Sequence, residues 1–160
     1  MFLALTCYHR FVCCLCLVRS CDRRRGSDKS AQKYQCSPVN LVEAARGSAA
    51  RLVNMLARDF RCFRDEHPFP GRREPIRILK RAQIFVADLW ACFEGEDYGK
   101  FRDIDKITMF ADYRVPQILR TLGCISYSPP LEAAIHRKEE LPQGGSWEMQ
   151  IRGEHVTNCA

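Results

Sequence analysis

The residue of this 160-residue chain best suited to chemistry is Asp112, set between the aromatic residues Phe110 and Tyr113 just ahead of Pro116. Proline fixes φ and lacks an amide hydrogen, so it is accepted in the first turn of a helix and penalised in its interior. A helix carrying Pro116 therefore begins within a few residues before it. A carboxylate at that start feels the positive end of the helix and its unpaired amides, which favours the ionised form. Such a group suits a nucleophile or a stabiliser of positive charge better than a general acid. The same place also suits plain helix capping, with Phe110 as ordinary core, and spacing by itself leans towards that reading.

Three other groups come next. Lys80 and Arg81 could meet a phosphate, but bases that flank a buried helix more often solvate its edge. Asp88, inside an otherwise apolar helix, needs a polar partner such as Arg114, which is a structural role. Cys13 and Cys16 have zinc-ligand spacing, yet Cys21 and Cys36 do not supply the second pair that a structural zinc site requires, so no metal is expected. The sequence holds no glycine-rich phosphate loop, no His-Glu-x-x-His and no nucleophile elbow, and its four histidines have no obvious partners.

These groups must be held by a single core. The length corresponds to one domain, and 46% hydrophobic with 28% charged residues is the composition of a globular chain. A net charge of +6 suits an anionic ligand, but acids are interspersed with most of the bases, so direct nucleic-acid binding is not expected. Of ten cysteines, Cys7, Cys13, Cys14, Cys16, Cys21 and Cys36 crowd the start, unlike a disulfide framework spread through a secreted domain. Met1 to Val18 is apolar like a signal core, but it has no Lys or Arg before Arg10, and His9 and Arg10 interrupt it. It also falls short of the roughly 20 apolar residues of a membrane span. A cytoplasmic chain with reduced thiols and no membrane association is expected. Residues 1–36 read as a poorly ordered Cys/Arg-rich appendage.

From Ser37 onward the pattern is helical. Leu41, Ala45, Ala49, Leu52, Val53 and Leu56 share one face, predicting a single helix over 41–57 with Asn40 as its cap. Pro68, Pro70 and Gly71 mark a loop over 61–73. A second helix is expected from Glu74 or Pro75 to Phe93, buried nearly all round. A short helical turn follows over 104–110, then the Pro116 helix to Leu122 with Gly123 as its stop. Ser128-Pro129 opens another helix, carrying Leu131, Ala134, Ile135 and reaching towards Leu141. Trp147 to Ile151 alternates apolar and polar, which predicts a short strand near the C-terminus of a mainly α fold.

The words Lys80-Arg81-Ala82-Gln83-Ile84-Phe85-Val86-Ala87-Asp88-Leu89-Trp90 and Met109-Phe110-Ala111-Asp112-Tyr113-Arg114-Val115-Pro116-Gln117 closely resemble the queuosine salvage protein family. Gly47-Ser48-Ala49, Phe101-Arg102-Asp103-Ile104-Asp105, Tyr127-Ser128 and Glu148-Met149-Gln150-Ile151-Arg152 are similar too. The resemblance covers 40–153. It implies a helical domain with some likeness to DNA glycosylases that works without metal or cofactor. It also implies cleavage of the N-glycosidic bond of queuosine 5′-phosphate, releasing queuine for reuse in transfer-RNA modification. In that family motif the residue matching Asp112 is the nucleophile or transition-state stabiliser, and the aromatic matching Phe110 touches the base. Phe110 or Tyr113 would stack on the base, and Lys80 or Arg81 would meet the phosphate, although the motif assigns neither base. Family members are longer, so the chain is expected to be truncated, with a partial family domain over 37–153 and a divergent tail over 154–160. The alternative is a non-catalytic member that binds a nucleotide or a protein partner.

Overall fold

The computed structural model describes residues 32–35, 37–68, 71, 73–108, 110–112 and 114–157, the last four of these by their backbone alone. Most of the appendage expected over 1–36, including Cys13 and Cys16, and part of the tail lie outside those residues. The chain divides into two compact units, Met1–Asp65 with Leu79–Thr108, and Glu66–Ile78 with Met109–Ala160.

The first unit is built on α1 (Pro38–Ala44), α2 (Ala49–Asp59) and α3 (Lys80–Cys92). The single helix expected over 41–57 is two helices. Arg46 and Gly47 have φ of 54° and 67°, which no α-helix accommodates, and Ser48 restarts the helix as the N-cap of α2. The apolar periodicity runs straight through this break, because Leu41, Ala45, Ala49 and Leu52 are all buried on either side of it. Asn40 is not the cap either; its side-chain amide donates to the Tyr34 carbonyl oxygen at 3.2 Å. Pro38 opens α1 instead, its missing amide costing nothing in a first turn.

A carboxylate from far along the chain holds the restart. Asp103 accepts from the Ser48 hydroxyl at 2.8 Å, from the Ala49 amide at 2.7 Å and from the Ala50 amide at 3.4 Å. The Ser48 hydroxyl in turn accepts from the Arg51 amide at 3.2 Å. Glycine suits position 47 beside it: its φ is 67°, its carbonyl oxygen accepts from the Arg102 amide, and a Cβ there would lie a tight 3.3 Å from the Lys100 carbonyl oxygen. At the other end of α2, Asp59 sits where the helix dipole disfavours an anion. Arg58 above all, with the Tyr34 hydroxyl and Lys33, outweighs burial and holds the Asp59 carboxyl well below its usual range.

The second expected helix starts later and is amphipathic. Ile76–Arg77 is strand, and α3 begins after Leu79, whose φ of 53° excludes it from the helix. Ala82, Phe85, Val86 and Leu89 form the buried face at spacings of three and four. Ile84 is half-buried and Trp90 is 45% exposed, so burial all round does not hold. Rings run through this core in sequence: Tyr34, Phe60, Phe63 and Phe85 lie 6.3, 6.4 and 6.0 Å apart, centroid to centroid. Emptying the Phe85 site would cost about 3–5 kcal/mol, whereas losing a helix cap costs about 1 kcal/mol. Packing therefore makes the unit stable, and the caps decide where its helices begin.

The second unit holds a two-stranded antiparallel ribbon, β1 (Glu66–His67) and β2 (Ile76–Arg77), within the segment expected as loop. It also holds α4 (Arg114–Thr121), α5 (Pro129–His136) and α6 (Ser146–Thr157). Pro116 is buried in the first turn of α4, and Gly123, at φ 72°, ends that helix as expected. The Arg120–Glu132 ion pair joins α4 to α5. Lys138, at φ 56°, stops α5 short of Leu141.

The strand expected over 147–151 is instead part of α6. Its alternation misleads because only Met149 is fully buried, while Trp147 and Ile151 are both half-buried. Glu148 and Arg152 form an i,i+4 ion pair, the helical arrangement with the acid N-terminal to the base. Ile78, Ala111 and Met149 make the small core of this unit. Among the described residues the fold is mainly α, and no helix is long and apolar enough to cross a membrane.

The Asp103 cap gives a pH-dependent test. Burial would raise this carboxyl, but the Ser48 hydroxyl and the Ala49 and Ala50 amides together hold it below its ordinary 3.8. The stability it contributes is therefore complete above that value and lost as pH falls through the lower folded value. In denaturant melts, Asp103→Ala is expected to lose about 1 kcal/mol at neutral pH, with the gap to the parent closing in acid.

Candidate functional site

Asp112 lies at the start of α4, and the structure shows it capping that helix. Its Oδ1 accepts from the Arg114 amide at 2.9 Å and from the Val115 amide at 3.2 Å. The capping role and a chemical role are compatible, because a carboxylate pinned by two amides is already oriented before any ligand arrives. The peptide before it is held too. The Asp112 amide donates to the Phe110 carbonyl oxygen at 2.8 Å, and the Ala111 carbonyl oxygen accepts from Arg152 Nε at 3.1 Å. Ala111 itself is buried against the side of the unit that carries Met149 and Ile78.

Behind Arg152 the contacts continue within the same unit. Its Nη1 donates to Glu148 Oε1 at 3.0 Å, and Glu148 Oε2 accepts from the Gly144 amide at 3.2 Å. Gly144 has φ of 76°, and a Cβ there would lie 2.6 Å from His67 Nδ1, so only glycine fits against the ribbon. The Arg152 and Glu148 side chains are 12% and 21% exposed. A pair that is mostly withdrawn from solvent is less screened and better fixed than a surface pair.

The predicted site residues are thus distributed over both units. Phe110, half-buried, and Asp112 belong to the second unit, whereas Lys80, half-buried, and Arg81, exposed, open α3 in the first. Tyr113 lies outside the described residues. Asp88 is half-buried on α3. Sequence reasoning gave no role to Glu148, Arg152, Gly144 or His67. The acid-base spacing of four in Glu148-Met149-Gln150-Ile151-Arg152 was the available signal, and the strand reading of that segment hid it.

A cleft of about 450 Å³ lies in the first unit, walled by Val42, Glu43, Phe93, Asp97, Tyr98 and Phe101 among others. None of the predicted site residues lines it. Among the described residues no group of three or more His, Cys, Asp or Glu side chains is placed to hold a metal ion.

Comparison with known proteins bears on what the Asp112 segment does. The profile of the family described as "Queuosine salvage protein" matches residues 20–160, beyond both ends of the stretch that the motifs alone suggest. A Schizosaccharomyces pombe protein named queuosine 5′-phosphate N-glycosylase/hydrolase is 47% identical over 120 residues, covering 75% of this chain and 34% of the relative. Proteins of the same name from Nematostella vectensis and Mus musculus are 41% and 44% identical, covering 86% and 76% of this chain and 39% and 36% of their own lengths. The matched region therefore amounts to little more than a third of each relative.

The capping geometry separates charge from hydrogen bonding at Asp112. Asn caps nearly as well as Asp, so Asp112→Asn is expected to melt within a few tenths of a kcal/mol of the parent, and Asp112→Ala about 1 kcal/mol lower. Equal losses in both variants would show that the amide contacts contribute little to stability.

Proposed function

Since this chain belongs to the queuosine salvage protein family, we propose that it carries the sugar-binding core of an N-glycosidase acting on queuosine 5′-phosphate, with Asp112 as its catalytic residue. The observation that carries this reading is the fixed carboxylate of the family-like word Met109 to Gln117, held through one oxygen by the first amides of α4. In this reaction the bond between the ribose anomeric carbon and the base nitrogen breaks, and the electron pair leaves with the base. Positive charge then develops on the anomeric carbon and ring oxygen. A carboxylate already oriented beside that carbon stabilises the charge without reorganising, or adds to it as a nucleophile. Water completes the step, delivering hydroxyl to the sugar and a proton to the departing queuine.

The other roles follow from residue chemistry. Phe110 and Tyr113 offer ring faces to the flat base. Lys80 and Arg81, at the start of α3 in the first unit, are cations beside the positive end of a helix, a place whose chemistry suits an anion. No metal or cofactor enters this scheme. We place the activity in the cytoplasm, where free queuine would be available for transfer-RNA modification. The second reading, a non-catalytic member that binds a nucleotide or a protein partner, is favoured by the match to little more than a third of the relatives' length.

Release of queuine from queuosine 5′-phosphate by the 160-residue chain decides between them. The proposal expects release, with Asp112→Asn lowering kcat by about a hundredfold or more while the fold is retained. A folded parent chain that releases no queuine would overturn the catalytic reading and leave a non-catalytic member of the family.

A further inference from the structure

We propose that Arg152 is a positioning residue for Asp112, acting through the peptide that joins Ala111 to Asp112. Its importance for catalysis rests on the reading of Asp112 given above; its effect on geometry does not. That peptide unit is held at both ends, its oxygen by Arg152 Nε at 3.1 Å and its amide by the Phe110 carbonyl oxygen at 2.8 Å. With both ends fixed, the plane from which the Asp112 side chain departs has little freedom to rotate. The two amides of α4 then set the carboxylate itself.

Three further observations point to a built support. Met149 lies one turn before Arg152 on α6 and is buried with Ala111, so the same helix presents an apolar contact and a cation to one short segment. Glu148 fixes the guanidinium from the side, and the Gly144 amide fixes Glu148. Arg152 is 12% exposed, unlike a base that solvates a helix edge. The arrangement also requires arginine and not lysine. Nε and Nη1 donate in two directions from one rigid plane, and an ammonium at the end of a flexible stem cannot reproduce both bonds.

The test measures amide hydrogen exchange and queuine release in the full chain carrying Arg152→Met, which keeps much of the stem and removes the guanidinium. Exchange at Asp112, Arg114 and Val115 is expected to quicken about tenfold or more, with the amides of α5 unchanged. In the release assay kcat is expected to fall by up to about a hundredfold with KM nearly constant, and added ethylguanidinium should restore part of it. Arg152→Lys should recover neither exchange protection nor kcat in full, and it replaces the methionine variant if that one does not fold. Unchanged exchange at the three amides, or an equal increase throughout α5, would overturn the proposal by showing either no coupling or a general loosening. If the parent chain releases no queuine, the catalytic reading of Asp112 fails on its own, and the exchange comparison still decides whether Arg152 positions it.

Discussion

The first amides of an α-helix have no partner within it, and a carboxylate meets that need at a critical helix start in each unit of this chain. Asp103 reaches α2 from more than fifty residues away and thereby defines where the helix restarts after Gly47. Asp112 meets α4 from two residues before it. The same physics fixes both carboxylates in direction, Asp103 against a hydroxyl and two amides and Asp112 against two amides beside an aromatic residue. The difference lies in what surrounds each. Asp103 accepts from a hydroxyl and two amides of a helix that carries the main core, whereas Asp112 stands on a short segment braced from behind.

Helix content was legible because apolar spacing is dictated by burial, and burial is what stabilises these helices. The stop at Gly123 and the start before Pro116 were legible for a different reason, since those residue types restrict the backbone directly. What sequence hid were features set by contacts across the chain. The break at Arg46 and Gly47 leaves no gap in the apolar pattern, because both flanking helices pack the same face inward. The late start of α3 is hidden in Leu79, an apolar residue in a left-handed conformation that its type does not advertise. The alternation of Trp147 to Ile151 matched a strand, but a strand needs a neighbour, and the described ribbon involves only Glu66–His67 and Ile76–Arg77.

Part of the geometry around Asp112 was legible for the same reasons, since its place ahead of Pro116 announces a capping carboxylate, and that cap is present. The support behind it was not. Arg152 lies 41 residues from Ala111, and the contact passes through a backbone carbonyl, which leaves no trace in residue type. Gly144 is constrained by an imidazole from β1, again invisible until the ribbon is in place. Lys80 and Arg81 were found as charges, and the helix start that gives their charge a direction became apparent only with α3.

The chain has two tryptophans, and they fall one in each unit: Trp90 on the exposed side of α3, and Trp147, half-buried, at the start of α6. Each unit is thus labelled by nature with its own indole in a distinct environment. Ultraviolet emission from this protein therefore draws on both units, the wetter indole lying on the outer side of α3 and the drier one on the helix that braces Asp112.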